Sequence, residues 1–541
     1  MRPIADVAAD LGIGPRDFEP YGHDKAKIPL EAFPSGNTPG KLIVVTAITP
    51  TPAGEGKTTV AVGLAQGLAK IGRRPVLTLR QPALGPVFGQ KGGGTGGGRS
   101  TVQPADDINL HLTGDFHALE SAHNLLAAMT DNAVYRKAVD GFEADGITWR
   151  RVTDAEDRAL RHVVAGLGGD GPIRQTGYDI NAASEIMAIL ALAADYKDLR
   201  DRISSVVVGW TRDREPVTAA DIGAVGSMMA LLRDALKPNL CQTAEGQPAL
   251  VHMGPFGNIA HGCSSIVADR LGIAAAEYLI TEAGFGADLG FEKFMDIKVR
   301  QGGPEPSAAV VVTTLRGLRW HGGVARDSLD EANLDAVKRG AENLQHSLRV
   351  VGRFGVPAVV AINRFPSDTA EELKAVKQVS MAGGALGVAE ASGFTDGGEG
   401  MIELAEAVVA TADRPGRVRL LYEDDQPIIE KVEALATEMY GAGSVEWGRL
   451  TRTTARRFEA QGWNFPVCMA KTHLSVSADP RLRGAPTGHV LPIRELRVSA
   501  GARQIITLAG DIMTLPGLPS RPNAYDIDLA DDGRVVGVLG T

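Results

Sequence analysis

Cysteine is nearly absent from this chain. Cys241, Cys263 and Cys468 are the only three among 541 residues. Their odd number and wide spacing exclude a disulfide framework and fit a reducing compartment. Long apolar runs are also missing: no stretch approaches the ~18 uncharged residues of a membrane span. The amino terminus, MRPIADVAADLGI, carries an acidic residue early and has no long apolar core, so it does not read as a secretory signal. A cytoplasmic protein without a membrane partner is expected. Aromatics make up 5% of the chain, and no Lys/Arg cluster dominates a formal net charge of −9. A nucleic-acid partner is therefore not expected. Glycine, in contrast, is plentiful at 65 residues, and the 44% hydrophobic content is ordinary for a globular chain. The length allows about three to four domains.

The densest signal lies at Leu42–Val45 and the residues after it, LIVVT-AITPTPAGEGKTT. A β-branched run reads as a buried strand, a Gly/Pro loop follows, and apolar Val60, Leu64, Leu68 and Ile71 recur at helical spacing up to Gly72. Strand, loop and helix are the context a phosphate-binding loop needs. Gly54 and Gly56 let backbone N–H groups turn toward a phosphate, and the helix start near Lys57 adds its positive dipole end. Lys57 is placed to reach the β/γ-phosphates of ATP, and the Thr58 hydroxyl to ligate Mg²⁺. The expected ATP-binding residues are Thr51, Pro52, Ala53, Gly54, Glu55, Gly56, Lys57 and Thr58. The usual first glycine is replaced by Thr51.

Further strands are expected at Val76–Leu79, Ser205–Val208, Val310–Thr313 and Ala358–Ile362, separated by helical patterns. Residues 117–200 read as largely helical, with Leu125, Leu126, Met129, Ile186, Ile189 and Leu190 as core candidates. This alternation predicts an α/β fold: a P-loop NTPase-like, mostly parallel sheet with helices on both faces, plus smaller C-terminal domains. A boundary falls near 365, giving a nucleotide-binding domain over 1–365 with insertions and a smaller C-terminal α/β region over 366–541 in two subdomains.

Several residues past the loop can carry chemistry. Arg80 follows the second strand, where ligands of parallel sheets gather. Its guanidinium either stabilises a developing phosphoryl charge, holds a small carboxylate, or forms a surface ion pair. KGGGTGGG at 91–98 contains a dinucleotide-type Gly spacing with neither strand before it nor helix after it. It reads as a backbone loop around an anion, with Gly92 and Gly93 as candidates, or as a plain linker. Asp115 is a candidate for the Mg²⁺ shell or for a turn cap, and His117 lies beside it. His111 and His117, like His261 and Cys263, lack zinc-ligand spacing. Phe365 and Phe394 sit on loops of an aromatic-poor chain, either stacking a flat heterocycle or serving as core.

TPTPAGEGKTT, LGPVFGQKGG, DINLHLTGDFHA, NIAHGCSS, TEAGFGADLG, VVAINRFPSDT, CMAKTHLSVSADP and DIMTLPGLPSRP occur in this order. Together they resemble formate–tetrahydrofolate ligase, the formyltetrahydrofolate synthetase family, over residues 5 to 540 and in its monofunctional form. The resemblance implies ligation of formate to N10 of tetrahydrofolate with ATP, through formyl phosphate, giving 10-formyltetrahydrofolate, ADP and phosphate. It implies catalytic roles for Lys57 and Arg80, pterin stacking by Phe365 and Phe394, and a folate site to which the C-terminal region contributes. It also implies small-molecule partners, tetrahydrofolate as co-substrate, a monovalent-cation activator and a homotetramer.

The chain departs from the family pattern in places. Gln81 stands where relatives have Glu associated with the monovalent cation, keeping an acceptor oxygen but losing the charge. Phe394-Thr395-Asp396 replaces a Trp-Ala-Lys, and GARQII at 501–506 replaces a Gly-Ala-Gly-Phe start. The rival reading is a MinD-like ATPase switch. Its signature lysine, five residues before Lys57, is here Pro52.

Overall fold

The computed structural model describes residues 1–33, 39–91, 93–414 and 416–538; Gly92 lies outside them. Runs such as Leu42–Val45 are apolar at every position because successive side chains of a strand point to opposite faces and both faces are covered. In β1 (Lys41–Ala47), Leu42 and Val44 enter one core, and Ile43, Val45 and Ala47 enter the other. The sheet continues through β2 (Pro75–Leu79), β3 (Asn239–Thr243), β4 (Pro248–Val251), β5 (Tyr278–Glu282), β6 (Pro306–Thr313), β7 (Ala358–Asn363) and β8 (Gly387–Ala391). Their spatial order is β3-β4-β2-β5-β1-β6-β7-β8. Neighbours from β4 to β8 run parallel, and β3 is antiparallel to β4. Short strands at Glu19–Tyr21, Lys25–Lys27, Gly96–Gly97 and Ser100–Gln103 extend the β3 edge to make twelve.

Helices cover both faces. α1 (Lys57–Lys70) and α6 (Ile402–Ala412) bury Val60, Leu64, Leu404 and Val408 against Ile43 and Val45. On the other face α3 (Ile266–Ala275), α4 (Leu334–Arg353) and α5 (Ala370–Ala382) bury Leu271, Leu344 and Val376 with Leu42 and Val44. A third core gathers Leu119 and Leu126 of α2 (Asp115–Arg136) with Ile186, Ile189 and Leu190. Among the described residues no helix is long and apolar enough to cross a membrane.

The structure corrects two sequence expectations. The 205–208 strand forms at Val207–Thr211 but lies outside the large sheet. It pairs antiparallel with Pro216–Thr218 and with Phe142–Ile147. A β-branched run encodes strand, not partner. The helical reading of 117–200 holds only to Arg136 and again at Glu185–Leu192 and Tyr196–Ser204. Between them lie strands and single turns, because Gly166, Gly168, Gly169, Gly171 and Pro172 interrupt any helix.

Position 365 falls between β7 and β8, which pair over five residues, Val359–Asn363 with Gly387–Ala391. Beyond them β9 (Val467–Ala470), β10 (Glu495–Ser499) and β11 (Gln504–Leu508) form a small mixed sheet. Its Val467, Met469 and Ile505 join the same apolar cluster as Leu42 and Val44.

Candidate active site

Parallel strands end their carboxyl termini on one edge, and the candidate residues gather there. The loop between β1 and α1 is braced from below. Asn343 of α4 accepts from the Thr49 N–H (2.9 Å) and donates to its hydroxyl and to Gly484 O. His321 donates from Nε2 to Thr49 O (2.8 Å) and accepts at Nδ1 from Gly484 N–H (3.2 Å). That pattern fixes the neutral tautomer, and burial pushes its pKa down to about 4.

Higher in the loop, the Thr51 N–H donates to Glu55 Oε1 (2.8 Å), and Asn363 at the end of β7 donates to Glu55 O (3.1 Å). Thr51 is therefore accommodated where a glycine is usual, because its N–H is already occupied within the loop. Burial raises the pKa of Glu55, while Lys57 and the Thr51 N–H oppose the rise. Gly54 and Gly56 have φ of 73° and 74°. Gly56 precedes the first turn of α1, and a Cβ there would collide with Asn363. Each bracing bond is worth about 1 kcal/mol, enough in sum to hold one loop shape.

Arg80 stands one residue past β2. Nη1 donates to Pro255 O (3.1 Å), and Nε has no partner. Among the described residues Arg80 makes no ion pair, which removes the surface-salt-bridge alternative. Lys57 and Lys91 are likewise without a carboxylate partner there. Arg80 and Lys57 lie near enough to Lys91 to repel its ammonium, which packing around it first, and then Arg80 and Lys57, pull down to about 8. The Lys91 Nζ lies 5.7 Å from the Phe285 ring centroid. Phe285 stacks on His473 at 4.6 Å and 19°. Burial, then Lys91, Lys471 and Lys57, push the His473 imidazole down to about 4, so it stays neutral.

Glu282 ends β5, the strand between β1 and β2. It is 8% exposed, and its buried Oε1 has no hydrogen-bond partner among the described residues. Burial raises its pKa, while Arg80, the Thr58 hydroxyl and Lys57 oppose the rise.

The other expected residues divide. Gln81 is buried beside Arg80. Its N–H donates to Met253 O (2.8 Å), and its side-chain oxygen has no partner. Asp115 has a different task from metal binding. Its carboxylate, 2% exposed, accepts from Lys27 Nζ (2.6 Å) and Asn239 Nδ2 (2.7 Å), tying α2 to the edge strands. His117 is exposed one turn into α2. Gly93 adjoins the undescribed Gly92. KGGGTGGG is no free linker: Gly96–Gly97 pairs with Ser100–Thr101, and Phe394 packs directly on Gly97 and Gly98.

Phe394 is 57% exposed and its carbonyl accepts from Arg99 N–H (2.9 Å). Phe365 is half-buried, with the Arg316 guanidinium 4.1 Å above its ring. The two phenylalanines follow adjacent strands β7 and β8 and make no ring contact with each other. Neither is a core pair member.

Sequence reasoning missed Glu282, Lys91, Phe285, His473 and Asn363. All lie within motifs it had singled out, TEAGFGADLG, KGGGTGGG, CMAKTHLSVSADP and VVAINRFPSDT. For Glu282 and Asn363 the signal available was position, each being the last residue of a parallel strand; Lys91, Phe285 and His473 lie further along their loops and carried none.

The fold is of the α/β class with a mostly parallel sheet, and the candidate residues stand at its carboxyl edge, where such folds place their sites. A family model described as "Formate--tetrahydrofolate ligase" matches residues 1–539. The chain is 52% identical to the formate–tetrahydrofolate ligase of Roseiflexus sp. (strain RS-1) over 99% of this chain and 98% of that one. The like-named protein of Nocardioides sp. (strain ATCC BAA-499 / JS614) is also 52% identical, over 99% and 98%. That of Desulforamulus reducens is 48% identical over 100% and 97%. The chain belongs to the formate–tetrahydrofolate ligase family.

Proposed function

We propose that this enzyme ligates formate to N10 of tetrahydrofolate at the expense of ATP, through formyl phosphate, releasing 10-formyltetrahydrofolate, ADP and phosphate. The observation that carries this reading is that Lys57, Arg80 and Lys91, charges close enough to repel one another beside one braced loop, have no carboxylate partner among the described residues. Such a cluster suits a phosphoryl group passing between two anions, where positioning and charge stabilisation do most of the catalysis. Formate oxygen is a poor leaving group, and phosphorylation replaces it with phosphate. Lys57 holds the transferring phosphoryl group. Arg80, with its free Nε, holds formyl phosphate. The folate amine then attacks the formyl carbon and phosphate departs.

ATP enters with Mg²⁺ on Thr58. Phe394, exposed beside the glycine run, and the open face of Phe365 take the pterin between them. The chain after residue 365 supplies Phe394 and His473 to this cleft. Gln81 offers its unpartnered oxygen to a monovalent cation without the usual charge. The enzyme works as a homotetramer in the cytoplasm.

The test is a coupled assay leaving out ATP, formate and tetrahydrofolate in turn. ADP formation is expected only with formate and folate present, and formate labelled with ¹⁸O delivers label into the phosphate. ADP formed at full rate without either would favour the ATPase switch instead. Unlabelled phosphate would remove formyl phosphate from the route.

A further inference from the structure

A cavity of about 500 Å³ opens between the third apolar core and the small sheet, at β10 and β11. None of the residues placed in the catalytic cleft, Lys57, Arg80, Lys91, Phe365, Phe394 or His473, lines it. The volume is that of a small-molecule site. The walls are aromatic. Trp149 stacks on His123 with ring centroids 4.3 Å apart. Arg457, on the helix Thr451–Ala460, holds its guanidinium 4.7 Å from the Trp210 ring centroid and 5.6 Å from that of Phe458. Ile259 and Ile506 add apolar surface.

The polar groups of this cavity are unequally matched. Its acids are taken. Asp179 pairs with Arg150 (3.1 Å) and accepts from the Thr514 hydroxyl (2.6 Å). Glu495 accepts twice from Arg497 (2.7 and 3.0 Å), and Glu185 accepts from the Gly501 N–H (2.8 Å). Donors, in contrast, are left over. Gln504 is 1% exposed and its Nε2 has no partner. The buried Arg457 Nε has none either, and Arg457 makes no ion pair among the described residues. What the cavity lacks is an anionic guest with acceptors.

Gln504 is also where the chain leaves the family pattern, which has Phe at this position of GARQII. Phenylalanine would fill space there and bring no donor. The exchange sets an amide on a buried strand, where an unsatisfied N–H is costly and a guest that accepts from it recovers the loss.

We propose that this cavity binds a small aromatic carboxylate. The ring packs among Trp149, Trp210 and Phe458, and the carboxylate meets Arg457. A ring nitrogen or carbonyl oxygen accepts from Gln504 Nε2. An acid as small as formate would leave the aromatic walls unfilled.

The experiment is calorimetric titration of quinoline-2-carboxylate, which carries a ring nitrogen beside its carboxylate, onto the full chain. Wild type is expected to bind it with a Kd below about 1 mM. Gln504→Phe, which restores the family residue and fills the space, weakens binding at least about tenfold, and so does Arg457→Met. The rate with ATP, formate and tetrahydrofolate stays unchanged in both. Arg457→Met serves alone if the other variant does not fold. No saturation of wild type by about 10 mM, or undiminished affinity in a folded variant, overturns the proposal. So does binding that is lost in Arg80→Met but kept in Gln504→Phe, which would place the probe in the catalytic cleft.

Discussion

At the residue scale, Lys91 shows how a cleft of like charges tunes itself. A lysine held near pH 8 by its surroundings and by Arg80 and Lys57 is a cation below that pH and neutral above it. Attraction for the anionic substrates therefore weakens as pH rises through about 8. Initial-rate kinetics should show KM for formate and ATP climbing between about pH 7.5 and 9, with the rise absent in Lys91→Met. A pH-independent KM in wild type would show that Lys91 does not touch the substrates' field. Gln81 makes a second residue-scale case. Its side-chain oxygen is buried and unpartnered, so a carboxylate there would gain charge without needing new space. Gln81→Glu is expected to strengthen dependence on potassium in a titration of rate against KCl. An unchanged titration would place the cation elsewhere.

At the element scale, the glycine run and the loop after β8 are built against each other. Gly98 has φ 59°, and any Cβ there meets the Phe394 carbonyl. Gly98→Ala should displace Phe394 and raise KM for tetrahydrofolate about tenfold, as misplacing a positioning group does, with KM for ATP little changed. α5 supplies a stability counterpart. Glu372 closes the capping box with Thr369 and also accepts both branches of the buried Arg319 (3.0 and 2.7 Å). Glu372→Gln leaves that guanidinium without its countercharge and should cost about 3–5 kcal/mol in urea unfolding. Arg319, Thr369 and the Asn333 N–H hold the Glu372 carboxyl down to about 2 against the penalty of burial, below the about 4.3 of an unfolded chain. Its contribution is therefore complete above about pH 5 and is lost as pH falls toward about 2. The wild-type advantage over the variant should shrink in the same measure.

Legibility in the sequence also follows the elements. β1, the loop and α1 were readable because every signal is local: a β-branched run, positive-φ glycines and a helical period ending at Gly72. β5 was not, because YLITE continues the apolar pattern of IVADRLGIAAA, and a short apolar run does not separate strand from helix. Glu282 was hidden with it. Lys91 and His473 carry no pattern of their own, and their roles come from a strand order no single segment encodes. Phe365 and Phe394 were named from scarcity of aromatics, and the structure sets them just past two neighbouring strands. Asp115 looked like a site residue and turned out tied to Lys27 and Asn239, a pairing across residues too distant for spacing rules.

At the scale of the whole molecule, the sheet draws on segments from Glu19–Tyr21 at one edge to Gly387–Ala391 at the other, and the residues after 391 pack around it. Two large apolar cores line its two faces. Light scattering on the purified enzyme should give four times the 56.9 kDa chain mass under the tetramer proposed above. A monomer mass at assay concentration would discard that assignment without touching the chemistry.

The brace beneath the loop has a consequence in time. Thr49 is made early, but the groups that fix it, His321, Asn343 and Gly484, arrive hundreds of residues later. During synthesis β1 waits for β5 and β6 to pair with it, and the loop after it waits longer still for Gly484 to close the brace beneath it. A ribosome-bound chain that has not yet released Gly484 holds the cations of the cleft without their fixed geometry. The proposed nucleotide loop therefore has its full brace only once Gly484 has been made.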